Sequence, residues 1–300
     1  MSITKHCRRA LAPVLGLGLL LVSAPAPPAA DGIGRVDVTP DHVPAGSSGT
    51  FTLAFTADTG ALVGQTVVDI PRGWSSPQTT RPGALGYVGL ARGSCASATK
   101  LVRVVGRRLV IATSCARGRQ FTITYGPANV TTLSADGYVF LTQTRPKTVV
   151  RTKTVRTVVR TKKGKRRTKV RRVRIAVAPR FEPLAPKKQP VVVVTGAPVD
   201  HLVVNAPSIA TSGTPFSITV RAEDVFGNVA CCYTGTVSFS SSDPEAFLPT
   251  PYTFTTEDLG AHTFGRIVLR TLGAQTITAS DNGGHVDASN PINVYPFPTG

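Results

Sequence analysis

Short runs in which apolar and polar residues alternate constrain the fold of this sequence more than any other feature. In the run 49–56, Phe51, Leu53 and Phe55 fall on one face of an extended chain and threonines on the other. Similar runs recur through residues 35–144 and 199–295, with Pro, Gly, Asp and Ser between them. No long charged helix is present, which argues against coiled coils and helical bundles. We therefore predict an all-β chain.

The spacing of these runs predicts two β-sandwich domains. Six or seven strands fall within residues 31–144, and a comparable set within residues 197–297. A valine-rich run at 190–195 is expected to add the last strand of the first sandwich. Between the two predicted sandwiches lies a basic arm or linker rich in Thr, Val, Arg and Lys, residues 145–188.

The first thirty residues have the pattern of a secretory signal peptide. Lys5, Arg8 and Arg9 precede an apolar stretch at 11–22, and small residues follow it. The alternative is an uncleaved anchor, but this stretch is short compared with the roughly twenty residues that span a bilayer. Prolines near the small residues leave the cleavage position open. We predict a secreted or cell-surface protein.

Removal of the signal peptide leaves four cysteines as disulfide candidates: Cys95, Cys115, Cys231 and Cys232. An even number of cysteines in an exported chain suggests disulfides. The local pairing is Cys95 with Cys115. For the adjacent Cys231 and Cys232, three alternatives remain: a bond within a strained ring, two thiols, or a bond to another chain. The spacing does not suit a metal site, and we predict neither metal nor cofactor.

The second predicted sandwich resembles the bacterial immunoglobulin-like repeats of secreted and cell-surface proteins. The resemblance rests on Ala-Glu-Asp-Val-Phe-Gly-Asn-Val-Ala at 222–230, on Tyr-Thr-Gly-Thr-Val-Ser-Phe-Ser-Ser-Ser-Asp-Pro at 233–244 and on Tyr-Thr-Phe-Thr at 252–255. Such repeats usually carry small residues where this chain has Cys231 and Cys232. The first sandwich resembles an exported Ig-like domain more loosely, through residues 38–46, 70–74 and 121–126. The resemblance implies that the two β-sandwich domains are Ig-like, and it implies adhesion, spacing or surface display as the function.

The formal charge of +18 is concentrated in the basic segment 145–188, which has eighteen bases and one acid, Glu182. Within it the sequence Thr-Val-Val-Arg-Thr-Lys occurs at 148–153 and again at 157–162. Two conformations are open. Thr and Val favour a long hairpin that turns near Gly164, whereas clustered like charges favour a flexible linker. From composition we favour the flexible or weakly extended segment.

Such a charge should attract polyanions, and thirteen residues are the candidates for this contact. The expected partner is an anionic cell-envelope polymer or membrane surface, or nucleic acid bound without sequence specificity. No aromatic residue lies within 145–180, so the bases of a nucleic acid would have no aromatic side chain to stack on. No protein partner can be named. The candidates are Arg151, Lys153, Arg156, Arg160, Lys162, Lys163, Lys165, Arg166, Arg167, Lys169, Arg171, Arg172 and Arg174.

No catalytic arrangement is apparent, and we predict a protein that is not an enzyme. The sequence has neither a Gly-x-Ser-x-Gly nor a His-Glu-x-x-His motif. Four acids, Asp224, Asp243, Glu257 and Asp258, are alternatives for a calcium site, although such residues more often stabilise turns. The predicted function is adhesion or surface interaction through the basic segment. The alternative is a structural spacer or display module without a ligand.

Overall fold

The computed structural model describes residues 31–147, 149–160, 166–177 and 179–297. Regular structure in these ranges is almost entirely β-strand, which confirms the predicted all-β class. The predicted signal peptide, residues 1–30, lies outside the described residues. In the part of the chain that the structure describes, no helix has the length and apolar character needed to cross a membrane.

The strands follow one another with short connections. Those up to residue 195 are β1 Arg35–Thr39, β2 His42–Pro44, β3 Ser48–Thr56, β4 Leu62–Asp69, β5 Val88–Ala91, β6 Lys100–Val105, β7 Arg108–Cys115, β8 Gln120–Asn129, β9 Ala135–Val139, β10 Thr142–Pro146, β11 Val149–Arg160, β12 Arg166–Val177, β13 Glu182–Pro183 and β14 Val191–Thr195. Those after residue 195 are β15 His201–Asn205, β16 Ile209–Thr211, β17 Phe216–Glu223, β18 Thr236–Ser241, β19 Tyr252–Thr253, β20 Ala261–Ile267, β21 Gly273–Gln275, β22 Ile277–Asp281, β23 Val286–Ala288 and β24 Ile292–Tyr295. A short 3-10 helix covers Pro186–Lys188.

The first sandwich consists of two larger sheets and one small sheet around a single apolar core. The strand orders of the larger sheets are β1-β3-β8-β5 and β13-β10-β4-β7-β6, and the small sheet is β2-β14-β9. The alternation predicted at 49–56 is seen in β3, where Phe51, Leu53 and Phe55 are buried. Across the sheet, Phe55 pairs with Phe121 of β8, and their rings stack with centroids 4.8 Å apart. Burial with a period of two thus produces this core.

A disulfide between Cys95 and Cys115 ties the loop after β5 to the end of β7. This is the local pairing predicted from the sequence, and it is confirmed. Cys115 is buried in the core of the first sandwich, and Cys95 packs against that core. The bond therefore fixes the loop to the inside of the sandwich rather than to its rim.

The second sandwich has its own core. Its sheets have the orders β15-β17-β20, β16-β24-β21 and β19-β18-β22-β23. Ile218 and Val220 of β17 are buried together with Ile277 of β22, again from alternating positions along each strand. The two sandwiches of the predicted fold class are thus both present.

Between β10 and β13 the chain forms an antiparallel hairpin of two twelve-residue strands, β11 and β12, which we call the cationic hairpin. The flexible segment favoured from composition is not what the structure has in these two ranges. The predicted basic segment 145–188 also extends beyond the hairpin at both ends. Arg145 and Pro146 belong to β10, and β13 pairs with β10 in the first sandwich. Leu184 is buried in the core of that sandwich.

The two sandwiches meet at the loop that follows β17. The Asp224 carboxylate accepts hydrogen bonds from the backbone N–H groups of Phe226 and Asn228, each at 2.9 Å, and from that of Ala197 at 2.8 Å. The side-chain amide of Asn228 then bonds across to the first sandwich, donating to Thr132 O at 2.8 Å and accepting from Ser134 N at 2.9 Å. This loop therefore joins the two modules through hydrogen bonds.

Candidate functional site: the cationic hairpin

The hairpin leaves the first sandwich at the end of the β10–β4 strand pair. Lys147 N donates to Val63 O at 2.7 Å, which continues the strand pairing one residue beyond β10. Gly64 lies opposite Pro146, and a Cβ at this position would overlap the carbonyl oxygen of Arg145. Only glycine allows this close approach. The incoming chain of the hairpin is therefore held at a defined place on the sandwich.

The returning chain is held by Arg145 and Phe181. The guanidinium carbon of Arg145 lies 4.3 Å from the centroid of the Phe181 ring, within the range of a cation–π contact. Arg145 also donates to Gln65 Oε1 of β4. These contacts connect the residue before the hairpin with a residue after it, so the root of the hairpin is closed on both sides.

The register of the hairpin explains how so cationic a ribbon can pair. Arg151 lies opposite Ile175, Lys153 opposite Val173 and Val155 opposite Arg171, and the same arrangement continues through the repeat. Of the twelve pairs, a base faces a base only where Arg160 lies opposite Arg166, at the tip. Like charges directly opposite each other destabilise a strand pair. Interleaving with Val, Ile and Thr avoids this repulsion everywhere except at the tip.

The same register divides the ten strand bases evenly between the two faces of the ribbon, because cross-strand partners share a face. At the odd-numbered positions lie Arg151, Lys153, Arg167, Lys169 and Arg171. At the even-numbered positions lie Arg156, Arg160, Arg166, Arg172 and Arg174. The even-numbered face thus has only arginines as bases, and neither strand contains an acid or an aromatic residue.

The middle of the hairpin is exposed on both faces. Val155 is 39% exposed and Val170 is 58% exposed, although the two valines occupy opposite faces of the ribbon. Among the hairpin side chains that the structure describes, the basic ones are Lys153, Arg156, Arg171 and Arg172; all four are exposed and none forms an ion pair. Neither face is therefore covered by the sandwich at these positions, and the charge of these four residues is not neutralised within the chain.

A cleft of about 470 Å³ opens at the root of the hairpin. Gln65, Thr113, Arg145, Lys147 and Pro179 are among the residues that line it, and no acidic side chain is among them. Arg145 and Lys147 were not among the thirteen predicted contacts. The signal that could have identified them is their position at the junction between a sandwich strand and the basic repeat. The cleft extends the basic surface of the hairpin onto the sandwich.

The structure brings ten of the thirteen predicted contact residues together in β11 and β12. The other three, Lys162, Lys163 and Lys165, lie outside the described residues. The polyanion contact itself stays a prediction. The three alternatives for Cys231 and Cys232 also stay predictions; in the structure their Sγ atoms are 3.8 Å apart, compared with about 2.05 Å in a disulfide.

Three of the four acids considered for calcium, Asp224, Asp243 and Asp258, organise loops of the second sandwich. Asp243 accepts from Arg270 N at 2.6 Å and from Thr271 Oγ1 at 2.7 Å, and Asp258 accepts from Thr255 N at 2.7 Å. Burial opposes ionisation of Asp243, but the hydrogen bonds from Thr271 and Arg270 outweigh it and lower the pKa of this carboxyl. Within the described residues, no cluster of three or more His, Cys, Asp or Glu is arranged to hold a metal ion.

No protein-family model and no curated protein matches the chain. Solved structures that match include the type II cohesin dyad from the adaptor ScaA scaffoldin of Acetivibrio cellulolyticus, with 8% identity, a TM-score of 0.28, and coverage of 88% of this chain and 97% of that chain. The ICAM-5 D1-D4 ectodomain fragment matches with 11% identity, a TM-score of 0.23, and coverage of 88% and 78% of the two chains. At these TM-scores neither structure carries an argument about function. The resemblance to bacterial Ig-like repeats therefore stays a prediction.

Proposed function

We propose that this chain is an extracellular β-sandwich protein, not an enzyme, whose cationic hairpin attaches it to an anionic polymer of the cell envelope. The observation that carries the proposal is a ribbon with ten bases and no acid, exposed on both faces at its middle. The Cys95–Cys115 disulfide supports an oxidising, extracellular location.

The geometry of the ribbon suits a linear polyanion. Twelve residues per strand at about 3.3 Å each give a ribbon roughly 40 Å long, with bases on either face along its length. A flexible polymer with repeated phosphate or carboxylate groups can follow such a row of charges, and each contact releases counterions. Because no aromatic residue lies in either strand, stacking of nucleic-acid bases contributes nothing here.

The charge of the sandwiches supports the same assignment. Residues 31–144 have a net charge of +4 and residues 189–300 a net charge of −6, whereas residues 145–188 have +17. Attraction to a polyanion would therefore be concentrated on the basic segment, and the second sandwich would be repelled from the polymer. This arrangement favours attachment through the hairpin with the second sandwich held away from the anionic surface.

Retention on purified cell envelopes tests the proposal. Three proteins are compared across a salt series: the full chain, a chain in which a two-residue Asn-Gly turn replaces residues 148–178, and a chain in which glutamine replaces the ten strand bases. The third protein keeps the length and the Val/Thr pattern and isolates the effect of charge. We expect retention of the full chain at low salt, its release at high salt, and much weaker retention of both variants.

Equal retention of the full chain and both variants would contradict attachment through the hairpin. Retention that persists at high salt would also contradict it and would point to a surface of the sandwiches. Prior treatment of the envelopes with a nuclease separates nucleic acid from envelope polymer, since loss of retention after that treatment would assign the binding to DNA or RNA.

A further inference from the structure

The second sandwich contacts the first at the turn between β2 and β3. In this turn Ala45 N donates to Thr195 O at 2.8 Å, Gly46 N donates to Thr131 O at 2.9 Å, and Ser47 N donates to Pro44 O at 3.3 Å. Gly46 has φ +68°, and the Phe226 ring from the second sandwich lies where a Cβ would be. The turn thus forms a seat for an aromatic ring.

The second sandwich repeats this backbone frame at its other end, in the turn between β16 and β17. Ser212 N donates to Tyr295 O at 2.8 Å, Gly213 N donates to Leu269 O at 2.9 Å, and Thr214 N donates to Thr211 O at 3.0 Å. Gly213 has φ +77°. Each of the three hydrogen bonds has its counterpart in the turn at Gly46.

The strand pairing beside the two turns is equivalent as well. In the first sandwich β2 pairs in parallel with β14 and ends with Pro44 opposite Thr195. In the second, β16 pairs in parallel with β24 and ends with Thr211 opposite Tyr295. The correspondence therefore extends from the turn to the parallel strands that position it.

The two ends differ in what covers them. The seat at Gly46 is filled by Phe226, whereas a Cβ built on Gly213 meets no described atom within 4 Å. The two segments that bond this turn through Leu269 O and Tyr295 O also expose apolar side chains: Leu272 is 55% exposed, Tyr295 54% and Phe297 67%. Leu269 corresponds to Thr131, because each accepts the hydrogen bond from the glycine of its turn. Ser134, which bonds Asn228, lies three residues after Thr131. Leu272 lies three residues after Leu269 and therefore corresponds to Ser134.

From this repetition we infer that the turn at Gly213 is a docking surface for a further β-sandwich module. Its occupant is a module that presents an Asp-x-Phe-Gly-Asn loop like that at 224–228, with the phenylalanine ring seated on Gly213. The bare glycine accommodates the ring, and the exposed Leu272 and Tyr295 gain apolar contact when the module docks. This inference is independent of the cationic hairpin.

A chain extended by one module tests the inference. Residues 196–297 are repeated directly after Tyr295, so that the added module follows β24 with the same spacing by which β15 follows β14. The covalent link gives a millimolar effective concentration, at which a complementary seat should be filled. The extended chain is compared with a form that has Gly213→Asn in the middle module, since asparagine tolerates positive φ but fills the seat. Gly284→Asn in the same module is the matched control, because Gly284 also has positive φ and open space.

The measurements are ¹⁵N relaxation and small-angle X-ray scattering. We expect the added module to share the rotational correlation time of the module before it, to lose this coupling with Gly213→Asn, and to keep it with Gly284→Asn. The inference is overturned if the added module reorients independently in the parent extended chain. It is also overturned if Gly213→Asn leaves the correlation time of the added module unchanged.

Discussion

Asn228 joins the two sandwiches through both ends of its side-chain amide, so Asn228→Ala should release one module from the other. The substitution removes the bonds to Thr132 O and from Ser134 N. Each such bond contributes about 0.5–1.5 kcal/mol net, which gives about 1–3 kcal/mol for the pair. We therefore expect the ratio of undocked to docked molecules to rise about 5- to 150-fold.

Small-angle X-ray scattering and ¹⁵N relaxation measure this change. In the variant we expect a larger maximum dimension and separate correlation times for the two sandwiches. Asn282→Ala is the matched control, because Asn282 bonds Thr236 N within the second sandwich, at 3.2 Å. If Asn228→Ala and Asn282→Ala both scatter and relax like the parent chain, the amide does not hold the junction and the reasoning is refuted.

Two further predictions concern stability. Replacing Cys95 and Cys115 together by alanine should lower the free energy of unfolding by about 3 kcal/mol, since the bond closes a loop of twenty residues. Denaturant titration measures this difference, and an unchanged unfolding midpoint would contradict the prediction. Asp243 has a lowered pKa in the folded chain, so its ionised form stabilises the fold. This stabilisation is fully present above the unfolded pKa of about 3.9 and is lost as the pH falls through the folded pKa. The stability difference between the parent chain and Asp243→Asn should therefore be largest near neutral pH and shrink below about pH 4, and a difference that stays constant from neutral to acidic pH would count against this account.

The strands could be predicted from the sequence because their signal is local. Burial at every second residue, as at Phe51, Leu53 and Phe55, follows from the two faces of an extended chain and needs no knowledge of the partner strand. The Cys95–Cys115 pairing could be predicted for a similar reason, since twenty residues separate the two cysteines and both fall in one predicted sandwich.

The conformation of the basic segment could not be predicted from composition. Counting charges favours a flexible chain, because it takes no account of which residues face each other. Whether the bases repel depends on the register, and the observed register places Lys153 opposite Val173 and Arg156 opposite Val170. A shift by two residues would place Lys153 opposite Arg171 in the middle of the ribbon, whereas the observed register has its one pair of opposed bases, Arg160 and Arg166, at the tip.

The junction between the sandwiches could not be predicted from the sequence either. The run that contains Phe226 and Asn228 predicts only a turn, and its partners Thr132 and Ser134 lie more than ninety residues earlier in the chain. A contact of this kind depends on the shapes of two folded modules. No hydrophobic periodicity within either module indicates it. Arg145 and Phe181 at the root of the hairpin illustrate the same limit.

The salt dependence of binding to a defined polymer, poly(glycerol phosphate), tests the central claim most directly. If five bases of one hairpin face contact phosphates, the slope of log K against log salt should be about −3.5, a loss of affinity of about 100-fold between 50 and 200 mM salt. The chain in which glutamine replaces the ten strand bases should bind more weakly and have a shallower slope, because fewer bases remain to contact phosphates. Strong binding by that variant, or a slope close to zero for the full chain, would contradict electrostatic attachment through the hairpin.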